Sequence, residues 1–390
     1  MDRLKVLFIT AWYPTQERPV EGVFVREHAK AVQFYDDVIV LHCAGSNPRL
    51  RGLWQMEREI DESLTGNIAT YRVWHRRPLI PSALCPIHPW SVLQAFRQII
   101  AQGFRPDIIH AHIYYAGTLA VLLGKVFHVP VVVTEHSSAF PRKLLKGTDI
   151  WKARLAFEWA DTVMPVSQTL QRAIEGYGIK ARFQVVSNVV DTRLFWPKPS
   201  SRFSNPTKRL LFVGSLDPCH AKGLPYLLYA LARLRQQRDD WYLDIVGDGP
   251  ARAEYGRLVE DLGLLDKITF YGTRPKEEVA EFMRRADLFL LPSLFETFSV
   301  VAAEALATGT PVLATSCGGP EEFITEDVGM LVSPASTGAL VEGLNHMLDS
   351  LRKFSPHHLS RYATERFNPE RVGAQIHAVY RQILDAERAY

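Results

Sequence analysis

Short apolar runs alternate with segments of helical period along almost the whole chain. The strands predicted in the first half cover residues 5–10, 37–42, 68–74, 107–112, 129–136, 162–167 and 183–188. The second half repeats the rhythm, with predicted strands at 209–215, 241–247, 267–273, 287–293, 311–316 and 329–334. Because these runs are apolar throughout rather than alternating, they indicate parallel sheets that are covered on both faces by helices.

The rhythm is interrupted once, between residues 192 and 208. This stretch is rich in Pro, Ser and basic residues and has no consistent period, which is typical of a linker between domains. The pattern therefore predicts two doubly wound α/β domains, 1–195 and 205–367. Ligands of such sheets bind outside the carboxyl ends of the strands, so two facing domains would form one deep cleft.

Composition narrows the class of protein. A chain of 390 residues is longer than one core usually supports, and 47% hydrophobic with 22% charged residues is ordinary for a soluble protein. No apolar stretch approaches the roughly 18 residues of a transmembrane helix, and the four cysteines are widely scattered, so we expect a cytoplasmic protein. Residues 1–200 hold 24 Lys and Arg against 17 Asp and Glu, whereas residues 201–390 hold 21 against 25. A basic first half is compatible with an anionic ligand or a membrane surface, and equally with an uneven solvated surface.

Several common α/β chemistries lack their motifs. The dinucleotide fingerprint is missing after the predicted strands, because Arg252 occupies its last position in the segment that starts at Gly247, and the other Gly-x-Gly, at 176–178, follows a predicted helix. A phosphate loop with Gly-Lys-Ser/Thr, a Gly-x-Ser-x-Gly elbow and an Asp-x-Asp pair are also missing from the sequence. His110 and His112 are one strand alternation apart and could share a metal ion. We nevertheless expect ordinary strand-end roles for them and no metal.

Two glutamates in the segment FETFSVVAAEAL are unusual. Glu304 lies within a run of valines and alanines that otherwise predicts a buried helix, and Glu296 lies eight residues before it. A carboxylate is rarely buried without a partner, because stripping its hydration costs several kcal/mol. The helix should begin near Phe298 or Ser299 and end before Gly309 and Pro311. Its first N–H groups would offer a phosphate cradle, and carboxylates on either side suit the hydroxyls of a nucleotide sugar.

The same segment, continued as ATGTPVLATSCGGPEEFI, resembles the Glu-x7-Glu signature of family 4 retaining glycosyltransferases, which have the GT-B fold. The resemblance covers nearly the whole chain, from WYPTQERPVEGVFVREHAKAV through PDIIHAH, VVVTEH and LLFVGSLDPCHAKGL to the terminal AVYRQIL. It implies two Rossmann-like doubly wound domains facing a deep interdomain cleft. The first would bind the acceptor and the second the nucleotide-sugar donor, with a final helix, 368–390, returning to the first domain.

The resemblance also implies roles for individual residues. Glu304 would bind the donor ribose, Glu296 the transferred sugar, and Lys222 the leaving diphosphate. The backbone at Phe298, Ser299 and Val300 would bind the distal phosphate. The remaining implied residues are Thr273 and Arg274 near the base, Gly22 near the diphosphate, His136 at the reaction centre on the acceptor side, and the segment from Cys317 through Gly318 and Gly319 to Glu322, closing over the donor.

Two departures from the family pattern concern the phosphates. Ser215 replaces an arginine that many relatives use as a second phosphate clamp, within a longer loop, and Val189 stands where glycine is common. The implied reaction transfers a sugar from a nucleoside diphosphate to an acceptor hydroxyl with retention of configuration, without a metal cofactor. Polysaccharide or glycolipid assembly in bacteria is the expected setting. A sugar-nucleotide epimerase of the same fold, or a nucleotide-sugar binding protein without turnover, remains an alternative.

The segment 140–157 is a candidate contact with anionic membrane. It combines basic residues with Phe140, Leu144, Leu145 and Trp151, and Arg76 with Arg77 could extend the same surface. The competing interpretation is that the apolar side chains face the core while the lysines extend to water.

Overall fold

The computed structural model describes residues 3–47, 49–63, 66–76, 86–197 and 206–388. The chain divides into two compact units, one formed by Met1–Val189 with Pro369–Tyr390 and the other by Val190–Asn368. Within the described residues, none of the helices combines the length and apolar character needed to cross a membrane.

The N-terminal unit is built around one mixed sheet. Its strands are β1 (Lys5–Thr10), β2 (Asp37–Ser46), β3 (Trp54–Ser63), β4 (Gly66–His75), β5 (Ile108–His112), β6 (Val131–Glu135) and β7 (Thr162–Pro165). Its helices are α1 (Val23–Gln33), α2 (Ile87–Ala101), α3 (Ile113–Phe127), α4 (Thr148–Glu158), α5 (Gln168–Glu175) and, from the C-terminus, α12 (Pro369–Arg388). The sheet order is β3-β4-β2-β1-β5-β6-β7, and every pair is parallel except β3 with β4.

The C-terminal helix α12 is part of the N-terminal core. Its Val372, Ile376 and Tyr380 are fully buried in the cluster that also contains residues of β1 and α1. At its start, Gly373 lies so close to α1 that an added Cβ would be 2.1 Å from the Ala31 carbonyl oxygen. The close approach of two helix backbones therefore requires glycine here.

The C-terminal unit is a second doubly wound sheet. Its strands are β8 (Lys208–Val213), β9 (Trp241–Val246), β10 (Ile268–Gly272), β11 (Leu288–Leu291), β12 (Val312–Thr315) and β13 (Gly329–Val332). Its helices are α6 (Leu224–Arg235), α7 (Arg252–Asp261), α8 (Lys276–Arg285), α9 (Val300–Ala307), α10 (Thr337–Ser350) and α11 (Pro356–Phe367), with short 3₁₀ turns at Gly319–Glu322 and Leu351–Lys353. The order β10-β9-β8-β11-β12-β13 is parallel throughout.

Two elements differ from the sequence predictions. The predicted strand at 183–188 is wrong, because Phe183 forms only an isolated bridge with Val163 beside β7. The antiparallel strand β3 was not predicted, since its WQMEREIDES sequence carries no apolar run. An edge strand that exposes one face to water needs no continuous apolar run, so hydropathy alone misses it.

Candidate functional site

The loops after β8 and β11 meet at the point where the strand order of the C-terminal sheet reverses. From β8 the chain proceeds outward to β9 and β10, and then crosses to β11 on the other side of β8. Ligands of open α/β sheets bind at such a switch point, beyond the carboxyl ends of the strands. Lys222 follows β8 and Glu296 follows β11, so the topology itself places the two together.

Glu296 and Lys222 form a close ion pair at this switch point. Lys222 Nζ donates to Glu296 Oε1 at 2.8 Å, and the Ser293 hydroxyl donates to the same oxygen at 2.8 Å. The Glu296 side chain is 10% exposed, whereas that of Lys222 is 34% exposed. Burial opposes the charged form of Lys222, but the charge and hydrogen bond of Glu296 hold its pKa above the usual value. The site therefore presents a fixed cation whose surface remains accessible.

Gly223 holds Lys222 in this position. It has a φ of 66° at the start of α6, and a Cβ there would be 1.8 Å from the Pro292 carbonyl oxygen. The Leu294 N–H also donates to the Ala221 carbonyl at 2.8 Å. The β8 loop and the β11 loop are thus in direct backbone contact, which is possible only without a side chain at position 223.

The N-terminus of α9 is left open for a ligand. Its N-cap residue, Ser299, has a φ of 78° and makes no side-chain cap, and its buried Oγ has no partner within the described part of the chain. A non-glycine residue in the left-handed region costs on the order of 1–3 kcal/mol, and such strain concentrates at ligand sites. The first N–H groups of α9, from Val300 onward, thus retain the capacity to bind an anion. Phe298 itself is buried, so its backbone rather than its ring is available.

Glu304 is buried inside α9, as its sequence context suggested, but it has a cationic neighbour. Lys276 Nζ lies 3.6 Å from Glu304 Oε1, and the Glu304 side chain is only 6% exposed. Lys276 begins α8 directly after Thr273 and Arg274, which are both exposed at the end of β10. Arg274 donates to the Tyr271 carbonyl oxygen at 3.0 Å. The ion pair thereby anchors the Thr273–Arg274 loop beside Glu304, and sequence reasoning missed Lys276 because the pairing depends on strand order.

The CGG segment, residues 317–319, lies alongside Glu296. The Glu296 N–H donates to the Cys317 carbonyl at 3.1 Å, and the Gly319 N–H donates back to the Glu296 carbonyl at 2.9 Å. A Cβ at Gly319 would lie 2.4 Å from the Phe298 backbone, so the third residue of the segment must be glycine. Glu321 accepts from the Gly318 N–H at 2.8 Å and has a structural role, whereas Glu322 is exposed on the same 3₁₀ turn.

Ser215 occupies the place of the missing arginine without supplying a charge. Its hydroxyl donates to Asp217 within the same loop at 2.6 Å. Among the predicted residues of the C-terminal unit, Lys222 is consequently the cation at the switch point that pairs with Glu296.

The predicted residues of the N-terminal unit converge on a different switch point, between β1 and β5. Gly22 begins α1 with a φ of 67°, and a Cβ there would be 2.3 Å from the Trp12 carbonyl. Two residues on, Phe24 packs on the ring of His136 with a centroid separation of 4.3 Å. Glu135 accepts from the N–H groups of His136 and Tyr114, each at 2.8 Å, which fixes the loop after β6 against the start of α3.

His136 belongs to a cluster of buried histidines that the sequence did not reveal. His112 Nδ1 lies 3.1 Å from His136 Nε2, and one ring nitrogen from each of His28, His112 and His136 lies within 4.8 Å of the other two. Burial lowers the pKa of His28 to about 4 and holds the pKa values of His112 and His136 well below the usual range. His110 contacts Tyr380 and Thr134 instead, at 2.6 and 2.7 Å. The three clustered rings come from α1, β5 and the loop after β6. Their spacing in the sequence therefore does not predict that they lie together.

A surface concavity in the C-terminal unit lies apart from these residues. It has a volume of about 1050 Å³ and is lined by α10, α11 and the loop before β13, including Met330, His346 and His358. It contains none of the site residues that the sequence predicted.

Comparison with known proteins assigns the class. The description "Glycosyltransferase Family 4" fits residues 23–194, and "Glycosyl transferases group 1" fits residues 197–366. Together these two matches leave out only residues 1–22, 195–196 and 367–390. The protein is therefore a glycosyltransferase, and the chain belongs to the group 1, family 4 glycosyltransferases, which confirms the resemblance that its motifs carry.

Curated relatives agree with this assignment. The chain is 26% identical over 382 residues to an uncharacterized glycosyltransferase of Methanocaldococcus jannaschii, with 89% of this chain and 95% of that protein covered. A D-inositol 3-phosphate glycosyltransferase of Corynebacterium urealyticum is 28% identical over 75% of this chain and 74% of its own. An MMP alpha-(1->4)-mannosyltransferase of Mycolicibacterium hassiacum is 35% identical, over 52% of this chain and 49% of its own.

Solved structures confirm the GT-B fold. Sucrose-phosphate synthase from Thermosynechococcus elongatus has a TM-score of 0.77 at 22% identity, covering 98% of this chain and all of that one. Anabaena HepE in complex with UDP-glucose has a TM-score of 0.73 at 20% identity and covers both chains fully. At these identities the likeness concerns the fold alone.

Proposed function

We propose that this glycosyltransferase transfers a hexose from a nucleoside-diphosphate sugar to an acceptor hydroxyl with retention of anomeric configuration. The observation that carries the proposal is the Lys222–Glu296 pair at the switch point of the C-terminal sheet, next to the uncapped start of α9. A cation beside free N–H groups suits a diphosphate, and carboxylates suit sugar hydroxyls. In this scheme the C-terminal unit binds the donor and the N-terminal unit binds the acceptor.

The proposed roles follow the chemistry of each group. Lys222 and the N–H groups around Ser299 and Val300 stabilise the charge that develops on the leaving diphosphate. Glu296 accepts from the hydroxyls of the transferred sugar, and Glu304 accepts from the ribose. The leaving phosphate takes the acceptor proton on the same face of the sugar, which yields retention without a protein nucleophile.

Seven further residues complete the proposed site. Thr273 and Arg274 approach the base, since the Lys276–Glu304 pair holds their loop beside the ribose-binding carboxylate. Gly318, Gly319 and Glu322 close over the donor on the far side of Glu296. Gly22 and His136 lie on the acceptor-binding unit. We assign no metal cofactor to the reaction, because Lys222 and the helix terminus supply the positive charge.

The test begins with the donor. A thermal-shift screen of common nucleotide sugars should raise the unfolding temperature with the true donor, because ligands that bind only the native state stabilise it. Uridine sugars come first, since the HepE structures hold UDP and UDP-glucose. Transfer to lipid-linked or glycan acceptors should then yield a product whose anomeric configuration matches the donor. Epimerised donor without acceptor would favour the epimerase alternative, and tight binding without any turnover would favour the binding protein.

We further propose that α4 and the loop before it contact an anionic membrane, in bacterial polysaccharide or glycolipid assembly at the cytoplasmic face. Two apolar side chains of the predicted segment are exposed, Leu144 at 52% and Trp151 at 62%. The prediction is wrong for Phe140 and Leu145, which are buried in the core. Lys143 and Lys146 are exposed next to Leu144, and Lys152 lies over the Tyr115 ring at 5.3 Å. Arg76 is exposed, and Arg77 lies outside the described residues.

Co-sedimentation with liposomes tests this contact. Binding should require anionic lipid, weaken at high salt and fall in a Leu144→Ser, Trp151→Ser double variant. Leu265→Ser is the matched control, because Leu265 is 65% exposed in the C-terminal unit. If binding does not depend on lipid charge, or if the double variant still binds, the proposed membrane contact is wrong.

A further inference from the structure

The histidine cluster of the N-terminal unit has the composition of a metal site. His28 lies on α1, His112 at the end of β5 and His136 directly after β6. One nitrogen from each ring lies within 4.8 Å of the others, and the His112–His136 pair is already at 3.1 Å. In a tetrahedral site with Zn–N bonds of 2.0–2.1 Å, ligand nitrogens lie about 3.3 Å apart. Two of the three rings thus already have nitrogens close to the required spacing.

Orphan nitrogens give the second, independent observation. His28 Nδ1 and His112 Nε2 are buried and have no hydrogen-bond partner in the ranges that the structure describes, and His112 faces His136 through its other nitrogen, Nδ1. Buried polar atoms are almost always satisfied, so each such exception calls for a ligand, an ion or a water molecule. The nearby His110, by contrast, has partners on both of its nitrogens.

Surrounding groups are arranged as they are around bound metals. His28 Nε2 contacts the Ser187 carbonyl oxygen at 3.2 Å, so its proton belongs on that nitrogen and leaves the lone pair on Nδ1. A backbone carbonyl that fixes the tautomer in this way is the common partner of a metal-binding histidine.

We propose that His28, His112 and His136 bind one divalent transition-metal ion of the zinc class. Three neutral imidazoles favour Zn²⁺, Ni²⁺ or Cu²⁺ over Mg²⁺ and Ca²⁺, which prefer oxygen ligands. The ion belongs to the N-terminal unit, whereas the proposed donor residues belong to the C-terminal unit, and the proposal gives it no part in leaving-group stabilisation. Its consequence for activity rests on the proposed function: a cation on His136 occupies the ring lone pair at the acceptor side, so it inhibits transfer.

Binding is measured on the full chain, freed of metal with EDTA and then desalted. Titration calorimetry with ZnCl₂ should show one saturable site per chain, and Co²⁺ should produce the visible absorption of a tetrahedral site. His136→Gln and His112→Gln should each weaken Zn²⁺ binding at least tenfold. His346→Gln is the matched control, because His346 is exposed on α10. Failure of the wild-type chain to bind Zn²⁺ or Co²⁺ saturably, or binding that both variants retain, would overturn the proposal.

A spectroscopic measurement on the wild type covers the case in which a variant does not fold. X-ray absorption of the Zn²⁺-loaded protein should show three imidazole nitrogens at about 2.0–2.1 Å. A first shell of oxygen or sulfur would contradict the assignment. These measurements involve no donor or acceptor. The metal site can therefore be refuted without refuting the proposed transfer reaction, and the reverse also holds. Inhibition by Zn²⁺ that EDTA reverses would then link the site to activity.

Discussion

Lys222 and Glu296 are 74 residues apart in the chain and 2.8 Å apart in the structure. They come from loops that follow adjacent strands, β8 and β11, on either side of the switch point. The pair leaves the carboxylate almost fully buried and the lysine one-third exposed. An ion pair arranged in this way needs no reorganisation to present its positive charge to an incoming diphosphate.

The first prediction separates the roles of this pair. Glu296→Gln keeps the shape of the side chain but removes its charge, so we expect kcat to fall by on the order of 100-fold with a smaller change in donor affinity. Lys222→Met should lower kcat comparably, because the leaving diphosphate loses its cation. Steady-state kinetics measures kcat, and calorimetric titration measures donor affinity. Glu342→Gln is the control, because Glu342 is exposed on α10. Equal losses in affinity and turnover would assign Glu296 to ground-state binding.

The second prediction concerns Glu304. Glu304→Ala should weaken donor binding by about 1.5–3 kcal/mol, the range for hydrogen bonds that involve a charged group. The free nucleoside diphosphate should lose the same amount, since the proposed partner is the ribose. Calorimetric titration of both ligands checks this, with Glu342→Ala as the matched control. Unchanged affinity of Glu304→Ala for the nucleoside diphosphate would show that Glu304 does not bind the ribose.

The third prediction addresses the metal requirement of turnover. Transfer should continue in excess EDTA, because the chain has no Asp-x-Asp pair and the proposed site supplies Lys222 and the start of α9 instead. The assay compares initial rates with EDTA, with EDTA followed by Mg²⁺, and with EDTA followed by Mn²⁺. A loss that either ion restores would mean that the diphosphate is bound differently.

Much of the C-terminal site could be predicted from the sequence because its signals are local. The helix with Glu304 begins after Ser299 and ends before Gly309, as the cap and stop residues indicated. Burial of Glu296 and Glu304 followed from their apolar neighbours. Even the placement of Lys222 could be anticipated from the family motif, since the loop after β8 is one continuous segment.

What the sequence did not predict depends on pairing between distant elements. Lys276 reaches Glu304 only because α8 and α9 pack together, and His28 joins His112 and His136 only through the order of β1, β5 and β6. The same cause explains the error at 183–188, where an apolar run lies beside β7 without forming a ladder. The period of apolar residues indicates which face of a helix or strand is buried, but it does not indicate which other element packs against that face.

The fourth prediction is a pH dependence of stability. Burial lowers the pKa of His28 to about 4, whereas an unfolded histidine titrates near 6.5. The unfolded chain therefore binds more protons between these values, so the stabilisation from neutral His28 is complete above pH 6.5 and is lost as the pH falls towards 4. The contribution of this residue is about 3 kcal/mol. Glu135 acts oppositely: burial raises its pKa to about 7, so its contribution is lost as the pH rises from about 4.5 to 7.

Denaturant unfolding at several pH values measures the contribution of His28 to the free energy of unfolding. The difference in unfolding free energy between the wild type and His28→Gln should shrink as the pH falls from 6.5 to 4. His346→Gln, the exposed control, should give a profile parallel to that of the wild type. Parallel profiles for His28→Gln as well would mean that the pKa of His28 is the same in the folded and the unfolded chain.

The last prediction tests whether loop geometry positions Lys222. Gly223→Ala adds a Cβ that would lie 1.8 Å from the Pro292 carbonyl oxygen, at a residue with a φ of 66°. The β8 and β11 loops must then separate, so we expect a loss of at least 1 kcal/mol of stability and a fall in kcat as Lys222 moves away from Glu296. Gly338→Ala is the matched control, because a Cβ there meets nothing within 4 Å and lies in the first turn of α10. It should be neutral or slightly stabilising, since alanine favours the helix over glycine. Thermal unfolding and steady-state kinetics measure both variants, and a Gly223→Ala protein with wild-type turnover would show that the site does not depend on this loop contact.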